Sequence, residues 1–357
     1  MGFIDDAAHT MYYDWNIWLT MLCCIALLVV GVFCLVKFCD IFVDASSSIA
    51  KRFHISPMII GLTIVAMGTS CPELAVSTSD SISCLINGGN ANVAIGNVVG
   101  SNICNILIVL GVSILFTPII IKKETLKKEF PMLIGVSLLF VIFGILFGVG
   151  SVTGNYAILR WEGIVFVVLM IAYIVFLVID AKKHPNEEES TEAEGKEYKL
   201  WVAIILVVVG ALGIILGGEF VVYGAKGMAL RCAKEAGVNQ DLAESLVGLT
   251  IVAVGTSLPE LVTSVVAAKK GQNDIALGNV IGSNIFNILF VLGISATVCP
   301  LTTGSQVIVD LIVMMVTTLL LFALSFSKKL GKKTGILFIS IYVLYVTYLI
   351  LRTLGIM

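Results

Sequence analysis

Residues Gly61–Ser77 read GLTIVAMGTSCPELAVS and residues Gly248–Ser264 read GLTIVAVGTSLPELVTS, with thirteen of seventeen positions identical. Further on, Ile95–Gly111 reads IGNVVGSNICNILIVLG and Leu277–Gly293 reads LGNVIGSNIFNILFVLG, again with thirteen of seventeen shared. Two unrelated apolar helices would share Leu, Ile and Val. These share Gly-Thr-Ser-x-Pro-Glu and Gly-Asn-Val-x-Gly-Ser-Asn-Ile-x-Asn, so the chain carries an internal duplication. A fainter echo precedes each copy, Asp40-Ile-Phe-Val in one and Glu219-Phe-Val-Val in the other.

The surroundings of these blocks are apolar. Of 357 residues, 58% are hydrophobic and 13% charged, about half the charge of a soluble domain. That excludes a water-soluble globule and leaves a polytopic all-α membrane protein. A net charge of −2 gives no footprint for nucleic acid. The nine cysteines, Cys23, Cys24, Cys34, Cys39, Cys71, Cys84, Cys104, Cys232 and Cys299, lie mostly in apolar runs without metal or redox spacing. They read as small apolar fillers and not as a disulfide framework.

Apolar runs of about 20 residues mark spanning helices. Ten are predicted, near 16–40, 57–85, 92–117, 129–149, 160–180, 201–225, 245–268, 274–298, 305–326 and 335–355. Residues Met1–Asp14 lack the basic start of a signal peptide, and Tyr12, Tyr13, Trp15 and Trp18 form an expected interfacial belt. Sixteen of the 22 lysines and arginines fall in the odd-to-even loops, against five on the other side. The positive-inside rule then puts both termini outside and the acidic Lys182–Lys199 linker in the cytoplasm. Three segments follow: a five-helix repeat over 1–181, the loop 182–199, and a second five-helix repeat over 200–357. With five spans between them, the copies enter the membrane from opposite sides. Such inverted repeats are a construction of secondary transporters, with the binding site at the midplane.

Within the first block of each repeat a proline and a glutamate sit mid-span. Pro72 and Pro259 each remove a backbone donor, and Gly68 and Gly255 weaken the same turn, so helices 2 and 7 are expected to break. The break frees carbonyls near Ala66–Ser70 and Ala253–Ser257, beside the hydroxyls of Thr69, Ser70, Thr256 and Ser257. Glu73 and Glu260 have no basic residue in their own blocks, and a carboxylate near the bilayer centre is costly unless paired or bound to an ion. Ser101 and Asn105 share a helical face, as do Ser283 and Asn287. Gly96, Gly100, Gly278 and Gly282 follow a pattern that lets helices approach closely. Carboxylates, amides, hydroxyls and carbonyls together suit a hard cation such as calcium, which takes about six to eight oxygens. His9, His54 and His184 lie outside the repeats, which disfavours soft metals. Two glutamates balance one calcium ion. Three sodium ions would leave a surplus positive charge, so their exchange for calcium would move charge across the membrane.

These paired blocks resemble the alpha repeats of the cation/calcium antiporter superfamily, in particular the prokaryotic sodium/calcium exchangers. The resemblance covers nearly the whole chain. It implies alternating access, with the first and sixth helices sliding against the repeat helices. It also implies that Glu73 and Glu260 are shared ligands for sodium and calcium. Thr69, Ser70, Ser101, Thr256, Ser257 and Ser283, with the carbonyls of Ala66 and Ala253, would complete the sodium sites, and Asn105 would line the centre. Position 287 is Asn where several relatives place Asp, which argues against potassium co-transport. The expectation is a monomeric plasma-membrane antiporter, not an enzyme, that needs no cofactor and exchanges sodium for calcium to extrude calcium. A calcium/proton antiporter of the same fold and a cation channel are the alternatives. Asp80 is expected to be an interfacial acid.

Overall fold

The structure is a computed structural model. It describes residues 15–87, 91, 93–144, 156–183, 197–235, 253–303 and 307–353. Met1–Asp14 with Tyr12 and Tyr13, His184 with most of the acidic linker, and Gly248–Val252 lie outside the described residues. The helices are α1 (Ile17–Phe53), α2 (Pro57–Thr69), α3 (Cys71–Asn87), α4 (Val93–Phe116), α5 (Lys123–Lys127), α6 (Glu129–Ile142) and α7 (Arg160–Lys183). They continue as α8 (Leu200–Glu235), α9 (Ala253–Thr256), α10 (Leu258–Lys269), α11 (Asn273–Val298), α12 (Val307–Ser325) and α13 (Lys332–Thr353). Among the described residues, seven helices are long and apolar enough to cross a membrane, and α2 with α3 adds an eighth as a pair bent by 49°.

Two helices run well past their predicted ends. α1 has 37 residues and α8 has 36, about 55 Å each at 1.5 Å per residue. Hydropathy fades at Asp40, but the tail of α1 continues because Phe42, Val43 and the small residues Ala45–Ser48 are buried against the body of the molecule. α1 starts on the side chain of Asn16, which accepts from the Trp18 N–H at 2.9 Å. It ends on His54 in the left-handed region (φ 53°).

α1 and α8 pack antiparallel along their length. A Cβ on Gly31 would lie 2.8 Å from the Gly217 carbonyl and 2.8 Å from Val221, and one on Gly210 would lie 2.8 Å from Phe42. At the far end Gly224 faces Cys24 and Leu28. With Asp40 set on Glu219, the contacts Gly31–Val221 and Phe42–Gly210 exchange with one another. The pair's outer surface, including Leu22, Val29, Phe33 and Leu212, is exposed and apolar, as a lipid-facing surface is. The repeat helices form the interior: the apolar window of α11 is 94% buried, against 22% for α1.

Four contacts tie loops and helix ends together. β1 (Ile119–Ile120) pairs antiparallel with β4 (Lys329–Leu330), and β2 (Tyr156–Ile158) with β3 (Leu301–Thr303). Lys270, at the end of α10, reaches Asp40 at 2.8 Å and Asp44 at 2.6 Å on α1. Cys84 and Cys299 form a disulfide, Cα–Cα 6.5 Å, which corrects the reading of all nine cysteines as fillers. No spacing rule connects residues 215 apart; folding brings the ends of α3 and α11 together. Cys24, Cys39 and Cys104 are free and buried, as fillers are.

Candidate cation site

The site is built on the two helix breaks. Between α2 and α3 the chain leaves helical geometry at Ser70 (φ −86°, ψ 9°), and between α9 and α10 it does so at Ser257 (φ −89°, ψ 3°). Prolines two residues on, Pro72 and Pro259, have no N–H to give to the carbonyls of Gly68 and Gly255. The Ala66 carbonyl is engaged, accepting from the Ser70 N–H at 3.0 Å. Ala253 begins the short helix α9.

Each break delivers a glutamate into the interior, and both carboxylates are fully buried. Ser70 donates to Glu260 Oε1 at 2.9 Å, across the repeats, and Ser101 donates to Glu73 Oε1 at 3.3 Å. Thr256 also faces the Glu73 carboxylate. Among the described residues, the other carboxylate oxygen of each glutamate has no hydrogen-bond donor. Among the described residues, Asn105 Oδ1, Asn287 Oδ1 and Ser283 Oγ likewise have no hydrogen-bond partner, and Ser257 Oγ has only the Cys104 thiol facing it. A buried polar atom left unpaired costs about 1–3 kcal/mol, and more if charged. Gathered on one set of interlinked helices, these oxygens have the donor chemistry that a hard cation takes. Beside it lies a cleft of about 170 Å³ whose walls include Pro72 and Pro259 at the breaks, Thr256, and Glu219, Val222 and Lys226 of α8.

The second blocks brace this arrangement. Asn97 Nδ2 donates to the Glu73 carbonyl at 3.3 Å and to Ser77 Oγ at 3.0 Å. Its repeat counterpart Asn279 donates to the Glu260 carbonyl at 3.4 Å and to Ser264 Oγ at 2.9 Å, and accepts from Thr69 Oγ1 at 3.1 Å. A π turn begins at Asn105 in α4 and another at Asn287 in α11, an insertion common at functional sites.

With this geometry in hand, the chain can be set beside known proteins. The family described as sodium/calcium exchanger protein matches residues 23–179 and 202–351. The chain belongs to that family. The exchanger is 38% identical over 317 residues to a protein named CaxA from Alkalimonas amylolytica, covering 87% of this chain and 92% of that one. It is 31% identical to the sodium/calcium exchanger MaX1 of Methanosarcina acetivorans, over 90% of this chain and 97% of that one. Its fold matches the solved structure of the sodium-calcium exchanger NCX_Mj soaked with sodium and calcium, with a TM-score of 0.71 and 32% identity over 91% of this chain and 97% of that one.

In the exchanger the predicted residues Thr69, Ser70, Glu73, Ser101, Asn105, Ser257, Glu260, Ser283 and Asn287 are all buried, on α2, α3, α4, the α9–α10 break, α10 and α11. Asp80 lies apart from them, accepting from the Val93 N–H at 3.0 Å and so anchoring the first turn of α4. Gly278 and Gly282 behave as packing residues: a Cβ on either would lie 2.7 Å from backbone atoms of α2. Gly96 and Gly100 meet nothing within 4 Å among the described residues, and Gly248, which the repeat sets opposite, lies outside them. Sequence reasoning missed the bracing role of Asn97 and Asn279. Only their identical placement in both repeats hints at it.

Proposed function

We propose that this exchanger is a sodium/calcium antiporter that works by alternating access and extrudes calcium across the plasma membrane. The observation that carries the reading is the pair of buried glutamates, each with one oxygen held by a serine and the other left for a cation. The antiparallel α1–α8 pair, whose contacts exchange under the repeat, supports two inverted five-helix repeats and ten spans. Calcium and sodium would share Glu73 and Glu260. Thr69, Ser70, Ser101, Thr256, Ser257 and Ser283, with the Ala66 and Ala253 carbonyls, would serve the sodium positions, and Asn105 and Asn287 the centre. The neutral amide at 287 adds no charge for a potassium ion, which supports a potassium-independent exchange. The Cys84–Cys299 disulfide supports the orientation with both termini outside, because that orientation puts the ends of α3 and α11 on the external face, where disulfides persist. The chain is proposed to act as a monomer in the bilayer.

Calcium flux in proteoliposomes, with sodium, potassium and proton gradients imposed one at a time, tests this. Sodium-driven calcium movement that needs no potassium and responds to membrane potential is expected. Uptake driven by a pH gradient alone would establish proton coupling instead, and single-channel currents would establish a channel.

A further inference from the structure

The central amides Asn105 and Asn287 are useful to a cation only with the oxygen turned inward. An amide rotated by half a turn presents its NH2 group, which repels a cation, and the two ends have nearly the same shape. Each amide has its nitrogen engaged and its oxygen without a hydrogen-bond partner among the described residues. Asn287 Nδ2 donates to Asn102 Oδ1 at 3.2 Å, and Asn105 Nδ2 donates to Asn284 Oδ1 at 3.1 Å. Both bonds cross between repeats and exchange with one another under the duplication. Asn102 and Asn284 are themselves almost fully buried, with 1% exposure each.

The direction of the first bond is fixed at its origin. Asn102 Nδ2 donates to the backbone carbonyl of Asn284 at 3.3 Å. A backbone carbonyl cannot become a donor, so Asn102 is held with its oxygen toward Asn287. Asn287 can then meet it only with its nitrogen, which leaves the Asn287 oxygen for the site. The polarity of a main-chain group is thus relayed through two side chains to the ion.

We infer that Asn102 and Asn284 are positioning residues that set the amides of Asn287 and Asn105 with oxygen toward the transported cation. This rests on the cation site proposed above. Removing the acceptor frees the amide to turn, and calcium, with twice the charge of sodium, is penalised more.

The test is calcium flux in proteoliposomes for Asn102→Leu and Asn102→Asp, each alone and on an Asn287→Ala background, with folding checked by size-exclusion chromatography. A buried neutral Asp keeps a carbonyl to accept from Asn287 and a hydroxyl to donate to the Asn284 carbonyl; Leu keeps neither. The expected result is a rise of about ten-fold in KM for calcium for Asn102→Leu, the scale of one lost hydrogen bond to a charged group. Asn102→Asp should stay within about two-fold of the parent, the residual expected when both hydrogen bonds are kept. On the Asn287→Ala background the Leu substitution should add nothing further, because the amide it positions is gone. Equal KM values for Leu and parent, or a full additional loss on the Ala background, would overturn the inference. If Asn102→Leu does not fold, the Asn284→Leu and Asn284→Asp pair on an Asn105→Ala background asks the same question with the same two outcomes. A parent protein that moves no calcium would instead refute the cation-site reading itself.

Discussion

The hydroxyl of Ser70 in the first repeat donates a hydrogen bond to the carboxylate of Glu260 in the second, at 2.9 Å. The proposed cation site therefore draws on both repeats. A hydroxyl that donates to a carboxylate keeps its lone pairs free, so the same bond that steadies Glu260 turns the Ser70 oxygen into an available ligand. Thr69, one residue earlier, crosses in the same sense to Asn279.

Replacing either glutamate by glutamine should abolish calcium transport while the protein remains folded. Glutamine keeps the size and one carbonyl oxygen but removes a full negative charge from a site that must hold a divalent ion. A loss of at least about a hundred-fold in calcium flux is expected, since a buried, unpaired ion costs several kcal/mol. Flux in proteoliposomes measures it, with size-exclusion chromatography as the check on folding.

Gly278→Ala should destabilise the protein. A methyl on Gly278 would press on the Met58 carbonyl at 2.7 Å, and backbone cannot step aside. Overpacking of this kind costs about 1–3 kcal/mol. Thermal denaturation in detergent measures the change, and a midpoint equal to that of the parent would contradict this close packing of α11 on α2.

Lys270 links the tail of α1 to the end of α10 through Asp40 and Asp44, and no lysine stands at its repeat counterpart, Ser83. Lys270→Ala should loosen that contact on one side only. Cys39, fully buried and 3.2 Å from Thr263 Oγ1, is a native reporter one residue from Asp40. Its labelling by a membrane-permeant maleimide, followed by peptide mass spectrometry, should rise several-fold in the variant. The swapped pair Lys270→Asp with Asp44→Lys should restore much of the protection.

The Cys84–Cys299 bridge should appear as one cross-linked peptide pair in a non-reducing digest. A reductant that cannot cross membranes should open it from outside intact cells. Reduction only after permeabilisation would reverse the proposed orientation. Serine at either position should lower the unfolding midpoint by several degrees, because closing a loop of 215 residues restricts the unfolded chain.

The residues legible in the sequence were those that defy their surroundings. Glu73 and Glu260 with their neighbouring prolines make no sense as ordinary apolar helix, so the pattern betrayed both the breaks and the chemistry. Features whose residues fit their surroundings stayed hidden. The π turns at Asn105 and Asn287 carry no composition of their own, since Asn-Ile-Leu continues a helix as readily as it widens one. Lys270 counted toward orientation as one charge among sixteen, and only packing showed its partners. The tail of α1 fell below a hydropathy threshold while its small residues still buried themselves.

The glycine seam between α1 and α8 has a mechanical corollary. A carbonyl of one helix lies 2.8 Å from where a side chain of the other would begin, and Phe38 and Phe42 of α1 fill the notches at Gly213 and Gly210 of α8, so the two helices are keyed together along the seam. Under the proposed alternating access, α1 and α8 would then move as a single body against the repeat helices, and neither could change its register along the other without opening the seam.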